Sequence, residues 1–188
     1  LDRERHGFSQ ISQASHPLLK SDDVWAIAET PDHGLWFGTF GGGLYRLDRD
    51  HRMSRYLPEE GQADALPSEN VLALAVDAGG DLWVGTTSGL ARWTGQGFDA
   101  VANAGLSGEI VFSLSPEGRD LWVGTNQGLD LRRADGSIEH PSWREALPDK
   151  GVNAVLSDRE GAHWISTRRG LALERAGVVT ALTGGLAG

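Results

Sequence analysis

Arg168 and Arg169 stand side by side in a polar turn, and a guanidinium can grip a carboxylate or sulfate through two parallel hydrogen bonds. Turns at equivalent places carry Phe40, Thr87 and the pair Asn126-Gln127, while connecting segments carry Asp22-Asp23, Glu69-Asn70, Glu109 and Lys150. Such side chains hydrogen-bond, stack or pair with charge, so the chemistry they offer is binding. Exposed loops are polar in any protein, but here the polar positions vary between copies of a constant framework, as loops tuned on a fixed scaffold do. Catalytic signatures are missing from the sequence. It has no Gly-x-Ser-x-Gly, no phosphate-binding loop and no dinucleotide fingerprint. The six histidines form no His-x-x-x-His pair and cysteine is absent, so neither a metal nor a cofactor is expected. Asp77 and Asp158 each precede a turn glycine by three residues, where a carboxylate accepts backbone N–H groups.

These candidate residues hang on a repeat. The stretch Asp81-Leu82-Trp83-Val84-Gly85-Thr86 recurs as Leu35-Trp36-Phe37-Gly38-Thr39, Leu121-Trp122-Val123-Gly124-Thr125 and His163-Trp164-Ile165-Ser166-Thr167. Successive tryptophans lie 47, 39 and 42 residues apart, and each copy leads into a Gly-Leu step at Gly43-Leu44, Gly89-Leu90, Gly128-Leu129 or Gly170-Leu171. A period near forty residues marks stacked structural units. Within each unit, short runs rich in Val, Leu, Ile and aromatic residues alternate with glycine turns, which reads as four strands of about five residues. Side chains alternate along a strand, so Leu82 and Val84 share one face while Trp83 lies on the other. A strand apolar on both faces must be sandwiched. Up-and-down sheets of this kind, stacked face to face around an axis, form an all-β fold, the β-propeller with four-stranded antiparallel blades. The blades are expected at 21–67, 68–107, 108–150 and 151–188, with 1–20 the end of a preceding one. Only Arg144 to Leu147, between Pro141 and Pro148, leaves room for a helical turn.

Composition limits the partners. A net charge of −9 repels phosphate backbones and anionic membranes, so no nucleic acid and no direct membrane contact are expected. No apolar run reaches the roughly 18 residues of a membrane span. The start, Leu1-Asp2-Arg3, lacks an initiator Met and reads as the beginning of an excised piece.

The combination Asp77-x-x-Gly80-x-Leu82-Trp83-Val84-Gly85-Thr86-x-x-Gly89-Leu90, preceded by Leu66-Pro67 and Asn70-Val71-x-x-Leu74, resembles the two-component regulator propeller repeat of bacterial sensor proteins. That resemblance implies a non-catalytic, extracytoplasmic (periplasmic) ligand-sensing segment of a membrane-anchored signalling protein. It also implies a ring of about seven blades, a small-molecule or carbohydrate ligand, and a histidine kinase or diguanylate cyclase as output. The ligand site is expected at the axial mouth, on Arg168, Arg169, Asn126, Gln127, Thr87, Phe40, Glu69 and Asn70. Four blades are part of such a ring, and an open arc would expose apolar faces. The expectation is therefore tight four-fold closure or a homodimer that completes the ring.

Two rival readings remain. Thr30 to Trp36 and Ser157 to Trp164 are similar to the Asp-box of sialidase-type propellers, each one residue out of register. A sialidase would need a tyrosine nucleophile, and Tyr45 and Tyr56 both sit in strand-like runs. The other rival is a protein-interaction scaffold. Trp143, in a connection, fits the repeat least and is the aromatic whose exposure needs examining.

Overall fold

The computed structural model describes residues 10–101 and 105–182. Phe8, in the expected end of a preceding blade, and the closing Gly184-Gly185-Leu186 lie outside the described residues. The first sheet contains β1 (Val24–Glu29), β2 (Leu35–Thr39), β3 (Gly43–Leu47) and β4 (Met53–Tyr56). The second contains β5 (Val71–Val76), β6 (Leu82–Thr86), β7 (Gly89–Trp93) and β8 (Phe98–Ala100). The third contains β9 (Val111–Glu117), β10 (Asp120–Thr125), β11 (Leu129–Arg132) and β12 (Ile138–Glu139), and the fourth β13 (Val152–Ser157), β14 (His163–Thr167), β15 (Gly170–Arg175) and β16 (Val178–Leu182). Every sheet is an antiparallel meander in sequence order, and the four are separate sheets. One short 3-10 helix, Ser142–Ala146, follows Pro141, at the place the two prolines leave for it.

The alternation in the tryptophan strand is realised across the sheets. Leu82 and Val84 pack with Trp36 and Leu44 of the first sheet, while Trp83 turns the other way onto Val111, Leu121 and Val123 of the third. Trp122 repeats the pattern against Val152 and Ile165 of the fourth. Each internal tryptophan is thus a contact with the following sheet, and burying one such side chain contributes on the order of 2 kcal/mol.

Glycine lets the sheets come this close. A methyl group on Gly85 would lie 2.7 Å from Val111 Cγ1, and one on Gly124 would lie 2.9 Å from Val152 Cγ1; Gly38 meets Val71 in the same way. The valine of each following sheet is seated on the glycine of the one before.

The turn between first and second strands anchors the tryptophan. The indole N–H donates to Thr30 Oγ1 from Trp36 (3.0 Å), to Asp77 Oδ2 from Trp83 (3.0 Å), to Glu117 Oε2 from Trp122 (2.8 Å) and to Asp158 Oδ2 from Trp164 (3.2 Å). Asp77 Oδ1 also accepts from the backbone N–H of Gly79 and Asp81, and Asp158 Oδ1 from Glu160 and Ala162. Both aspartates thus accept the turn's backbone N–H groups as expected, and the same carboxylate also ties the turn to the tryptophan. At the other end of the strand Thr39, Thr86, Thr125 and Thr167 each donate to a glycine carbonyl at 2.9 Å, closing the turn into the third strand. Gly89 there has φ 109°, which a β-branched residue would not adopt.

The sheets follow one another without closing. Ile27 on the first and Leu156 on the fourth are 66% and 63% exposed, so the tight four-fold ring is not formed.

Two outcomes follow from these contacts. Gly85→Ala destabilises the chain by about 1–3 kcal/mol in urea unfolding, as overpacking does, whereas Ser166→Ala, on the uncovered face, changes it by less than about 0.5 kcal/mol. The second concerns acid. The Asp158 carboxyl is held below the usual carboxylate range, first by the Ala162 N–H and further by the Trp164 indole, and Asp32 is lowered first by the Thr30 hydroxyl. Carboxyls lowered on folding stabilise above their unfolded value of about 4 and cease to as pH falls below it. Stability measured against pH therefore drops on the acid side of about pH 4, and Asp158→Asn makes that drop shallower.

Candidate functional site

The turns between second and third strands collect at one end of the sheets, each latched to the residue that opens the first strand of its own sheet. Phe40 N donates to Asp23 O (3.0 Å), Thr87 N to Asn70 O (3.2 Å), Asn126 N to Ile110 O (3.0 Å) and Arg168 N to Gly151 O (3.2 Å). The mouth expected from the sequence is thus a repeated backbone arrangement, and the residues placed there do different things within it. Asn70 Oδ1 accepts from Gly41 N (2.8 Å) of the neighbouring sheet, and Asn126 Oδ1 accepts from Ile110 N (3.2 Å). Thr87 Oγ1 pairs with Ser68 Oγ (2.8 Å). These three side chains are committed to holding the mouth together. Glu69 and Gln127 present exposed side chains, and Gln127 borders a cleft of about 260 Å³ with Arg144, Leu147, Asp149 and Lys150.

The two arginines diverge. Arg169 Nε lies 3.6 Å from Asp149 Oδ2, whereas the Arg168 guanidinium lies 5.6 Å from the centre of the Phe112 ring. Among the described residues Arg168 has no carboxylate partner, so its charge is available to a ligand.

Phe112 reveals a set of positions that sequence reasoning passed over. All four inner strands carry a bulge at the same point: between Val24 and Ala26, Val71 and Ala73, Val111 and Ser113, and Val152 and Ala154. The residues left out of the ladder are Trp25, Leu72, Phe112 and Asn153. A bulge re-aims its extra side chain and is enriched beside functional sites. Here two of the four meet the tips of the turns, Trp25 at 6.0 Å from Phe40, ring to ring, and Phe112 beneath Arg168. Trp25 and Phe40 are both exposed. After a valine common to all four copies, this position changes from Trp to Leu to Phe to Asn.

Two other clusters have structural explanations. Asp130 is buried and accepts from Ser107 Oγ (2.5 Å), Ser107 N (2.7 Å) and Arg144 (2.9 Å), with His140 Nδ1 at 2.8 Å. Serine, histidine and aspartate meet here, but the serine bonds to the carboxylate and to Arg144 (2.6 Å), not to an imidazole acting as its base. The cluster pins the connections before and after the third sheet onto its third strand. Trp143 is half-buried against Trp122 (5.8 Å) and His163 (6.3 Å), so it covers the core between the third and fourth sheets. No group of three or more metal-ligating side chains occurs among the described residues.

With that geometry in place, the comparisons with known proteins become specific. Residues 18–41 and 65–88 match the model of the two component regulator propeller family. No curated protein matches the chain. Among solved structures, it is similar to the extracellular domain of a protein described as a hybrid two component system of B. thetaiotaomicron, with 21% identity over 92% of this chain and a TM-score of 0.70. It is similar also to virginiamycin B lyase from Staphylococcus aureus (14% identity, 90% of this chain, 59% of that one, TM-score 0.67) and to an ancestral GH74 enzyme (13%, 87%, 24%, TM-score 0.66). At such identities the likeness establishes the propeller fold. The chain spans about a quarter, 25%, of the length of that extracellular domain.

Asp130→Ala strips the Ser107 hydroxyl, the Ser107 N–H and Arg144 of a buried acceptor and leaves Arg144 with only the exposed carboxylate of Glu145. Loss of a buried ionic partner costs about 3–5 kcal/mol, and a lowered unfolding midpoint of that size is expected, read by near-ultraviolet circular dichroism.

Proposed function

We propose that this chain, built of two component regulator propeller repeats, is a non-catalytic, ligand-sensing part of an extracytoplasmic bacterial signalling protein, and that the ligand sits at the mouth formed by the bulged residues and the turn tips. The observation that carries this reading is the bulge: a constant frame holds a variable side chain at the same register of each sheet, and on the first and third sheets that side chain, Trp25 or Phe112, meets a turn tip. A framework repeated for packing alone has no need of Trp, Leu, Phe and Asn at the same register. The similarity to an extracellular domain of a two component protein supports the same reading, with a kinase or cyclase output beyond the propeller.

The residues define what the mouth takes. Trp25 and Phe40 offer aromatic faces for a sugar ring or other flat apolar surface, and Arg168 offers a free guanidinium for a carboxylate or sulfate. An acidic or sulfated oligosaccharide, or its breakdown product, satisfies both.

The lyase and GH74 likenesses favour a second reading, catalysis on the same fold. Against it, the Ser107-His140-Asp130 grouping found among the described residues is occupied in holding connections.

The test is binding of carboxylated and sulfated oligosaccharides on a glycan array, followed by calorimetry. Binding by the wild type is expected, with Arg168→Ala and Phe112→Ala each weakening it about tenfold or more at an unchanged melting temperature; one lost charge-assisted contact is worth about 1.5–3 kcal/mol. Binding indifferent to both substitutions would sink the assignment of the site, and release of a cleaved product would favour the enzyme.

A further inference from the structure

The residue just before the tryptophan on the second strand seals the internal junctions, and one of the three departs from the rule. In the second sheet it is Leu82, 1% exposed and packed with Trp36 of the first; in the third it is Leu121, 0% exposed and packed with Trp83 of the second. The fourth sheet has His163 there, in a T-shaped contact with Trp122 of the third at 4.7 Å between ring centres. Its cross-strand neighbour is Glu174, a carboxylate only 4% exposed. A polar pair in the place of a leucine gives up apolar burial and takes two polar groups out of water. Packing of the sheets does not account for it.

The pair holds one nitrogen in place. Glu174 spends both oxygens nearby: Oε1 accepts from the Gly177 N–H (2.6 Å) and Oε2 from His163 Nδ1 (2.6 Å). With Nδ1 donating, the other nitrogen of a neutral imidazole presents a lone pair. That nitrogen, Nε2, has no hydrogen-bond partner, and Glu117 Oε2 of the third sheet lies 3.6 Å from it, beyond hydrogen-bond range. Glu117 accepts the Trp122 indole N–H with the same oxygen, and its side chain is exposed. Over these groups opens a cleft of about 360 Å³, walled by Trp122, Leu131 and Trp143. Its arginine, Arg133, is engaged by Asp120 (2.8 Å) and Glu139 (2.6 Å), so Glu117 has no arginine or lysine partner among the described residues.

We infer that this cleft is a second binding site, and that it takes a primary ammonium group carried on a flat apolar body. His163 opens β14 and Arg168 follows its other end, so the cleft lies at the end of the sheets opposite the mouth. Its two acceptors, His163 Nε2 and Glu117, are near enough for one donor to serve both. An ammonium has the protons to do so and a hydroxyl has only one. The uncompensated carboxylate repels an anion, and indole faces attract a cation while covering the apolar body.

The test uses the 188-residue chain, and its outcome is independent of what the mouth binds. Phenethylamine is the probe, with phenethyl alcohol, a hydroxyl in place of the ammonium, as its neutral match. Calorimetry is expected to show the amine binding at least about tenfold more tightly than the alcohol. In proton–nitrogen NMR spectra the indole signals of Trp122 and Trp143 shift while that of Trp25 stays. Glu117→Gln keeps an acceptor for the Trp122 indole but removes the charge, and weakens amine binding about tenfold at an unchanged melting temperature. The double variant His163→Leu with Glu174→Leu installs the side chain that Leu82 and Leu121 supply elsewhere, and Gly177, exposed, retains water for its N–H. It loses the amine, with a melting temperature unchanged or raised, since apolar replacement of a buried polar pair is commonly neutral or stabilising. Four results each overturn the inference: a wild type that ignores the amine, an alcohol that binds as well, shifts confined to Trp25, or either variant binding like wild type. A double variant of lowered melting temperature also overturns it, by assigning the pair to packing.

Discussion

The seating of a valine against the α-carbon of a glycine, one sheet against the next, is the contact on which the rest of this structure depends. Val71 on Gly38, Val111 on Gly85 and Val152 on Gly124 fix how close the sheets lie and how they are turned. That spacing brings the tryptophan of each sheet onto the apolar face of its follower. It also stacks the inner strands so that their bulges fall in line. A side chain at the glycine would force the sheets apart and misplace everything carried at their ends.

Much of this was legible in the sequence because it repeats. Three copies of a Trp-x-Gly-Thr core and a fourth with serine for the glycine, with turn glycines and a period near forty, specify four meanders apolar on both faces, and alternation places Leu82 and Val84 on one face and Trp83 on the other. The turn carboxylates of Asp77 and Asp158 were readable for the same reason. Glu117 was not, because it reaches the Trp122 indole from five residues away instead of six, from a strand end and not from the turn. Closure was not readable either: a strand pattern states that a face needs covering but not by what.

The mouth was legible only in part. Loop position pointed to Asn70, Thr87 and Asn126, but polar side chains beside backbone N–H groups are readily consumed by them, and all three are. Trp25 and Phe112 meet the turn tips because a bulge displaces one residue from the ladder, a shift of register that strand alternation does not announce. Arg168 and Arg169 look equivalent in sequence, yet Arg169 pairs with Asp149 at 3.6 Å while the Arg168 guanidinium lies over the Phe112 ring. Division of labour follows: glycine, valine, tryptophan and turn carboxylate build the frame, and the bulged position is free to change.

The most direct test of this frame is the nuclear Overhauser effect between the methyl groups of Val111 and the α-protons of Gly85, with Val71–Gly38 and Val152–Gly124 as its companions. Radial stacking predicts a strong cross-peak for each pair. Absence of all three, with the strands otherwise intact, would contradict it.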